Sequence, residues 1–118
     1  MIKYEVCVYK DGTKEWYLNG NLHREDGPAV EDANGDKHWW LNGKLHREDG
    51  PAVEYAGGTK YWYLNGNLHR EDGPAVEHTS GFKEWFLNGK SLSKAEWFDA
   101  LSFDSQKLLL FNSEVMAG

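Results

Sequence analysis

A 23-residue repeat constrains the fold of this chain more than any other feature. The string LNGNLHREDGPAVE at 18–31 returns as LNGKLHREDGPAVE at 41–54 and as LNGNLHREDGPAVE at 64–77. A fourth copy stops after Asn88-Gly89. A fixed period of this length predicts a linear array of equivalent units, each of which buries its apolar surface against its neighbours.

Each unit contains two pairs of turn-forming residues. Asn-Gly, as at 19–20, is a strong signal for a tight hairpin turn, because both central residues of a type I′ turn need positive φ. A second pair recurs with the same period, as Asp11-Gly12, Asn34-Gly35, Gly57-Gly58 and Ser80-Gly81. We therefore predict a mainly β fold, in which 23-residue β-hairpin repeats form an extended antiparallel meander.

Cross-strand partners follow from the numbering if every pair is a two-residue turn. Around Asn19-Gly20, Trp16 would lie opposite His23 and Tyr17 opposite Leu22. Around the second pair, Val30 would lie opposite Trp39, and likewise Cys7 opposite Trp16. The predicted structural ladder on one face is Trp16, Trp39, Trp62, Trp85, His23, His46 and His69, and the aromatic row on the other face is Tyr17, Trp40, Tyr63 and Phe86.

The segment between each histidine and the next valine must fold back on itself. In a straight strand these seven residues would displace successive tryptophans by roughly 23 Å. Glycine is free of the Cβ restriction and proline lacks the N–H that a ladder requires, so Asp-Gly-Pro allows the chain to turn. We predict compact loops or bulges at 24–28, 47–51 and 70–74, all along one edge.

The 118 residues read as a single domain in three segments: an N-terminal capping strand at 1–13, hairpin repeats at 14–90 and a helical cap at 91–118. The open edge of the first strand invites pairing, so a homodimer joined there is one expectation.

The C-terminal segment predicts one or two short helices. Ser93 and Glu96 form a capping box, and Trp97, Phe98 and Leu101 form the apolar helical stripe that follows it. A second helix is expected to start near Ser105 and run through Phe111. These helices are expected to cover the last hairpin, with a partner or dimer surface as the alternative.

Composition excludes several classes of function. The net charge of −6 comes from interleaved acids and bases, so no basic stripe is available for duplex nucleic acid. A single cysteine, Cys7, excludes an internal disulfide framework, and its predicted position opposite Trp16 suggests a small core residue. No apolar run is long enough to span a membrane and no leader opens the chain, which favours a cytoplasmic location.

The repeated Arg-Glu-Asp string has two interpretations. It either forms loop salt bridges within or between repeats and supports the turns, or it contacts a partner. In the second case, replacing the arginines by alanine is expected to weaken binding and leave folding intact. The candidate partner-binding residues are Arg24, Glu25, Asp26, Arg47, Glu48, Asp49, Arg70, Glu71 and Asp72.

No catalytic, cofactor or metal site is expected. Equivalent histidines in stacked repeats lie roughly 9–10 Å apart, whereas zinc needs all its ligands at about 2 Å. Every polar candidate occurs three times in the same local setting, and active sites are normally unique constellations.

The string WYLNGNLH at 16–23 resembles the MORN repeat. The shared pattern is an aromatic residue, then Asn-Gly, a variable residue, an apolar residue and histidine. The continuation HREDGPA is similar to a variant found in phage, giant-virus and bacterial proteins. The resemblance implies a non-enzymatic protein-interaction module, and a phage or viral factor that binds and blocks a host defence protein in the host cytosol. The alternative is a sequestering protein for a small anionic, nucleotide-like ligand, with arginine, histidine and tryptophan lining a groove.

Overall fold

A computed structural model gives the architecture of residues 2–111. Met1, the first residue of the predicted capping strand, and residues 112–118, the end of the predicted helical cap, lie outside the described residues. The described chain is mainly β, with fourteen strands followed by two helices, as predicted. The strands are β1 Glu5–Val8, β2 Lys14–Leu18, β3 Asn21–Leu22, β4 Val30–Glu31, β5 Lys37–His38, β6 Trp40–Leu41, β7 Lys44–Leu45, β8 Val53–Glu54, β9 Lys60–Tyr61, β10 Tyr63–Leu64, β11 Asn67–Leu68, β12 Val76–Glu77, β13 Lys83–Leu87 and β14 Lys90–Leu92.

The strands form an open antiparallel sheet in an elongated molecule of 46 × 31 × 23 Å. The main sheet has the order β1-β2-β4-β5-β8-β9-β12-β13-β14, with β3 paired to β2. The hairpins β6–β7 and β10–β11 pair separately. The second and third units therefore each add two strands to the main sheet and one Asn-Gly hairpin beside it, whereas the first and last Asn-Gly hairpins are part of the main sheet.

The four Asn-Gly turns have the predicted geometry. Asn19 and Gly20 both have positive φ, at 51° and 80°, and the other three pairs agree with them. Tyr17 lies opposite Leu22, as predicted, and equivalent pairs follow in the next two units. The His23 N–H donates to the Trp16 carbonyl at 3.0 Å, which confirms that these two residues are neighbours across the turn.

The predicted register around the second turn is wrong by one residue. Val30 lies opposite His38 instead of Trp39. The Gly35 N–H donates to the Asp32 carbonyl at 2.9 Å, and the Asp32 N–H donates to the Asp36 carbonyl at 2.9 Å. Three residues therefore form this loop, and only the glycine has positive φ, at 98°. This is a type I turn followed by a bulge, the common three-residue hairpin connection.

A slip of one residue exchanges the faces of a strand. The valines consequently do not lie opposite the tryptophans of the predicted ladder; Val53 faces Tyr61 and Val76 faces Glu84. Cys7 faces Glu15 and is exposed, so the prediction of a small core residue opposite Trp16 is wrong.

The helices are α1 Lys94–Ala100 and α2 Phe103–Phe111. The capping box is confirmed, because the Ser93 hydroxyl accepts from the Glu96 N–H at 3.1 Å and the Glu96 carboxylate accepts from the Ser93 N–H at 2.9 Å. The second of these bonds lowers the pKa of Glu96. Helix α2 begins two residues before the predicted start, because the Ser102 hydroxyl accepts from the Ser105 N–H at 3.2 Å.

The helices cover the last hairpin, as predicted. Their buried side chains pack on β13 and β14 to form a hydrophobic core cluster at this end of the sheet. The buried members of the cluster are Trp85, Trp97, Leu101 and Leu109. The outer side of α2 remains apolar and exposed, with Phe103, Leu108, Leu110 and Phe111 between 69% and 84% accessible.

Candidate functional site

The three REDGP segments lie side by side in the structure, and we call residues 24–28, 47–51 and 70–74 the loop edge. Each segment forms an irregular loop with bends at its centre, as predicted. The first and second loops flank a cleft of about 650 Å³ that is also lined by Trp39 and Leu41. The second and third loops flank a cleft of about 700 Å³ that also reaches Trp62 and helix α2.

Every arginine of the loop edge stacks on the tryptophan of its own unit. The guanidinium carbon of Arg24 lies 3.9 Å from the centre of the Trp16 ring. The Arg47–Trp39 and Arg70–Trp62 distances are 3.9 Å and 3.8 Å. This geometry is that of a cation–π contact, which contributes about 0.5–2 kcal/mol depending on burial.

A glycine closes the other side of each guanidinium. A Cβ atom on Gly50 would lie 2.9 Å from the Arg47 guanidinium carbon, and one on Gly73 would lie 2.7 Å from that of Arg70. A side chain at these positions would therefore displace the guanidinium, and glycine lets it lie close to the backbone. Each guanidinium is held between a tryptophan ring and the backbone of its own loop.

Hydrogen bonds fix the same guanidinium groups inside their loops. The Arg47 Nε donates to Asp49 at 3.0 Å, and its Nη1 donates to the Pro51 carbonyl at 3.1 Å and to Glu54 at 3.2 Å. Arg24 and Arg70 make the corresponding bonds to their aspartates and proline carbonyls. The predicted loop salt bridges are therefore present, and the arginine side chains are only 18–22% exposed.

The acids of the loop edge face outward. The side chains of Asp26, Asp49 and Asp72 are 80%, 87% and 83% exposed. Glu25 and Glu71 are each 56% exposed, and Glu48 is also exposed. Each cleft is lined by two arginines and four of these carboxylates. Because the arginines are already paired, the surface offered to solvent is acidic.

The histidines of the predicted ladder connect successive units. The Nδ1 atoms of His23, His46 and His69 accept hydrogen bonds of 2.8–2.9 Å from the backbone N–H of the asparagine in the next Asn-Gly turn. In the neutral ring the proton must then be on Nε2, which faces Glu25 at 3.3 Å in the first unit and Glu71 at 2.8 Å in the third. These histidines have a structural role.

The tryptophan ladder ends differently from how it begins. Trp85 belongs to the truncated fourth copy, which has no loop arginine. Trp97 of α1 packs against the Trp85 ring instead, with ring centres 4.5 Å apart and planes tilted by 51°, and the Lys94 ammonium lies 5.7 Å from the centre of the same ring. The Trp97 Nε1 donates to the Arg70 carbonyl at 2.7 Å, which joins the cap to the third loop. Sequence reasoning placed Trp97 on an apolar stripe but missed its contact with Trp85.

The predicted aromatic row of Tyr17, Trp40, Tyr63 and Phe86 is half-buried. Burial raises the pKa of Tyr63. A neighbouring group that the sequence reasoning did not identify extends the row, with ring centres 5.4–6.2 Å apart, and consists of His38, Tyr55, Tyr61, His78 and Phe82. At the N-terminal end, Tyr9 and Tyr17 both donate to Glu15, and the carboxylate raises the pKa of Tyr9 to about 12.

Asp32, Asp36 and His38 form a small polar cluster whose potential ligand atoms lie within 4.8 Å of one another. Asp36 is already engaged, since its carboxylate accepts from the Ala56 N–H at 2.8 Å and from the Asn34 amide at 3.2 Å. These bonds support two adjacent turns. The expectation that the chain holds no metal stays a prediction.

The chain matches no protein-family model, no curated protein and no solved structure. The resemblance to MORN repeats therefore stays a prediction. Within residues 2–111, no helix has the length and apolar character needed to cross a membrane.

Proposed function

We propose that this protein is a non-enzymatic interaction module whose loop edge binds a basic segment of another protein. The observation that carries the proposal is the different exposure of the arginine and the aspartate within each REDG string. The arginine is half-buried and bonded inside the loop, whereas the aspartate beside it is at least 80% exposed. The repeated string therefore presents carboxylates to a partner and keeps its positive charge inside.

Charge favours a cationic partner over an anionic one. A lysine or arginine side chain that enters a cleft meets four carboxylates and a half-buried tryptophan. An anionic ligand such as a nucleotide would meet the same carboxylates, while the arginine donors are already directed at aspartate and a proline carbonyl. Sequestration of an anion is therefore the less favoured function.

Several weak contacts would have to act together. An exposed ion pair contributes only about 0.2–1 kcal/mol, and salt screens it. Three equivalent loops in a row can engage several basic side chains of one extended segment. A phage or viral factor that blocks a host defence protein would need only this kind of occupancy, because blocking requires no reactive group.

The proposal predicts that neutralising two exposed aspartates weakens binding without changing the fold. Asparagine keeps an oxygen that accepts from the arginine Nε, so Asp49→Asn/Asp72→Asn is expected to alter the free energy of unfolding by less than about 0.5 kcal/mol. Binding to the polypeptide that the wild type captures from host lysate should weaken roughly 2- to 30-fold, as expected for two exposed ion pairs.

Asp99→Asn/Asp104→Asn is the matched control, because it makes the same charge change at two exposed aspartates in the helical cap. Titration calorimetry with the purified partner compares the three proteins. Equal affinity of wild type and Asp49→Asn/Asp72→Asn would contradict the proposal. So would the recovery of a small anion, with no polypeptide, as the molecule that the wild type retains.

A further inference from the structure

Five Asn-Gly sequences in this chain meet the chemical requirement for spontaneous deamidation. They begin at Asn19, Asn34, Asn42, Asn65 and Asn88. The backbone nitrogen of the residue after an asparagine can attack the side-chain amide, and glycine hinders this attack least because it has no Cβ. The reaction needs an available backbone nitrogen and a turn that can leave its folded conformation, so the structure determines which of the five sites react.

Three of the Asn-Gly turns are bonded to the preceding unit. The Gly43 N–H donates to the Leu22 carbonyl at 3.0 Å, and the Asn42 N–H donates to Nδ1 of His23 at 2.8 Å. The turns at 65–66 and 88–89 repeat both bonds at 2.8–2.9 Å. Each of these glycine nitrogens is therefore held by an acceptor, and both bonds must break before the turn can open locally.

The Asn-Gly sequence that begins at Asn34 is held by its own loop. The Gly35 N–H donates to the Asp32 carbonyl at 2.9 Å. The Asn34 side-chain amide donates to the Asp36 carboxylate at 3.2 Å, and its oxygen accepts from the Asp36 N–H at 3.2 Å. Attack by the Gly35 nitrogen would require these groups to give up all three bonds.

The first Asn-Gly turn is the exception, because no earlier unit precedes it. Among residues 2–111 the Gly20 N–H has no hydrogen-bond acceptor, and neither has the Asn19 N–H. A Cβ atom on Gly20 would meet no other atom within 4 Å, whereas one on Gly43 or Gly89 would lie 3.4 Å from an asparagine of the preceding unit. Asn19 and Gly20 are both exposed. This turn is therefore the one that opens without breaking a bond to another unit.

We propose that Asn19 is a site of spontaneous deamidation and that hydrogen bonds protect the other four Asn-Gly sequences. A base in solution takes the proton of the Gly20 N–H, the nitrogen bonds to Cγ of Asn19, and the Cγ–Nδ2 bond breaks with release of ammonia. Water then opens the succinimide ring at either carbonyl, which gives aspartate or isoaspartate at position 19. Water is the only further reactant.

The products change the first hairpin of the array. Both add one negative charge, and isoaspartate also adds one atom to the backbone of a two-residue turn. The length of this turn sets the pairing of Tyr17 with Leu22, so the isoaspartate form cannot keep the same turn geometry. The inference goes beyond the proposed function and does not depend on the loop edge.

Peptide mapping of the folded protein after incubation at mildly alkaline pH tests the proposal. Trypsin places each Asn-Gly sequence in its own peptide, namely 15–24, 25–37, 38–44, 61–70 and 84–90. Mass spectrometry measures the conversion of amide to acid in each peptide, and fragmentation assigns it to a residue. We expect Asn19 to react about 5- to 150-fold faster than each of the other four, the factor that corresponds to two ordinary hydrogen bonds.

The same incubation in urea is the control, because every turn is then unfolded and the five rates should converge. Equal rates at the five sites of the folded protein would overturn the proposal. The same preference for Asn19 in urea would also overturn it, since the preference would then come from local sequence and not from the missing hydrogen bonds.

His46→Ala tests the cause of the protection. The substitution removes the acceptor of the Asn65 N–H, and circular dichroism checks that the sheet is retained. We expect Asn65 to react about 2- to 12-fold faster than in the wild type, the factor for one hydrogen bond, while the rate at Asn42 stays the same. An unchanged rate at Asn65, or an equal rise at both sites, would show that bonds between units do not protect the turns and would overturn the proposal.

Discussion

Replacement of Trp97 by alanine is expected to lower the free energy of unfolding by about 3–5 kcal/mol, the range for large aromatic side chains in a core. Trp97 is fully buried, and among the fully buried side chains Trp97 and Val76 are the two largest. The substitution removes the ring that packs against Trp85 and leaves the Arg70 carbonyl without its indole donor. Urea unfolding followed by circular dichroism measures the change.

Two further substitutions separate the contributions of Trp97. Trp97→Phe retains an aromatic ring and removes the Nε1 donor, so it should cost about 1–3 kcal/mol. Phe103→Ala is the control, because Phe103 is 77% exposed and its loss should cost less than about 0.5 kcal/mol. If Trp97→Ala costs no more than Phe103→Ala, the cap does not complete the tryptophan ladder.

Arg47→Ala is expected to destabilise the fold by about 2–3 kcal/mol, from the loss of a cation–π contact and of charged hydrogen bonds. Arg47 has equivalent loops on both sides, and the Pro51 carbonyl that it bonds belongs to a buried residue. The contacts of this side chain thus lead to the opposite expectation from the sequence alone, which allowed the loop arginines to be removed without loss of folding.

Lysine at position 47 distinguishes charge from geometry. Arg47→Lys keeps the positive charge but cannot donate to Asp49, Pro51 and Glu54 in the planar arrangement of a guanidinium. We expect it to recover at most about half of the loss measured for alanine. Lys44→Ala, at an exposed strand position, is the control. Full recovery by lysine would show that charge alone holds the loop.

The two kinds of turn show how far sequence alone could carry the register. Asn-Gly at 19–20 gave the correct strand partners, because both residues accept positive φ. The second pair forms a different turn, because only its glycine has positive φ. Ser80-Gly81 carried the available signal, since serine has no preference for the left-handed region and suits the type I turn of a three-residue loop.

The structure of the loop edge was predictable only where it depends on residues that are close in the sequence. Alternating charges within one short string predicted loop salt bridges within or between repeats, and the one between Arg47 and Asp49 lies within a single loop. The stacking of Arg47 on Trp39 requires the loop to fold back over a residue eight positions earlier in the chain. No local sequence pattern indicates that path. The outward orientation of the aspartates follows from this stacking, so the sequence alone could not predict it either.

The arginine side chains offer the most direct test of the central claim, which is that the loop arginines hold the fold and leave the acids for a partner. The sequence contains three arginines, one in each loop, so every Arg Nε–H signal in a ¹H–¹⁵N spectrum comes from the loop edge. We predict three separate signals, shifted upfield by the tryptophan rings and protected from exchange with water. Three overlapping signals at the position of an unstructured chain, with rapid exchange, would contradict the account.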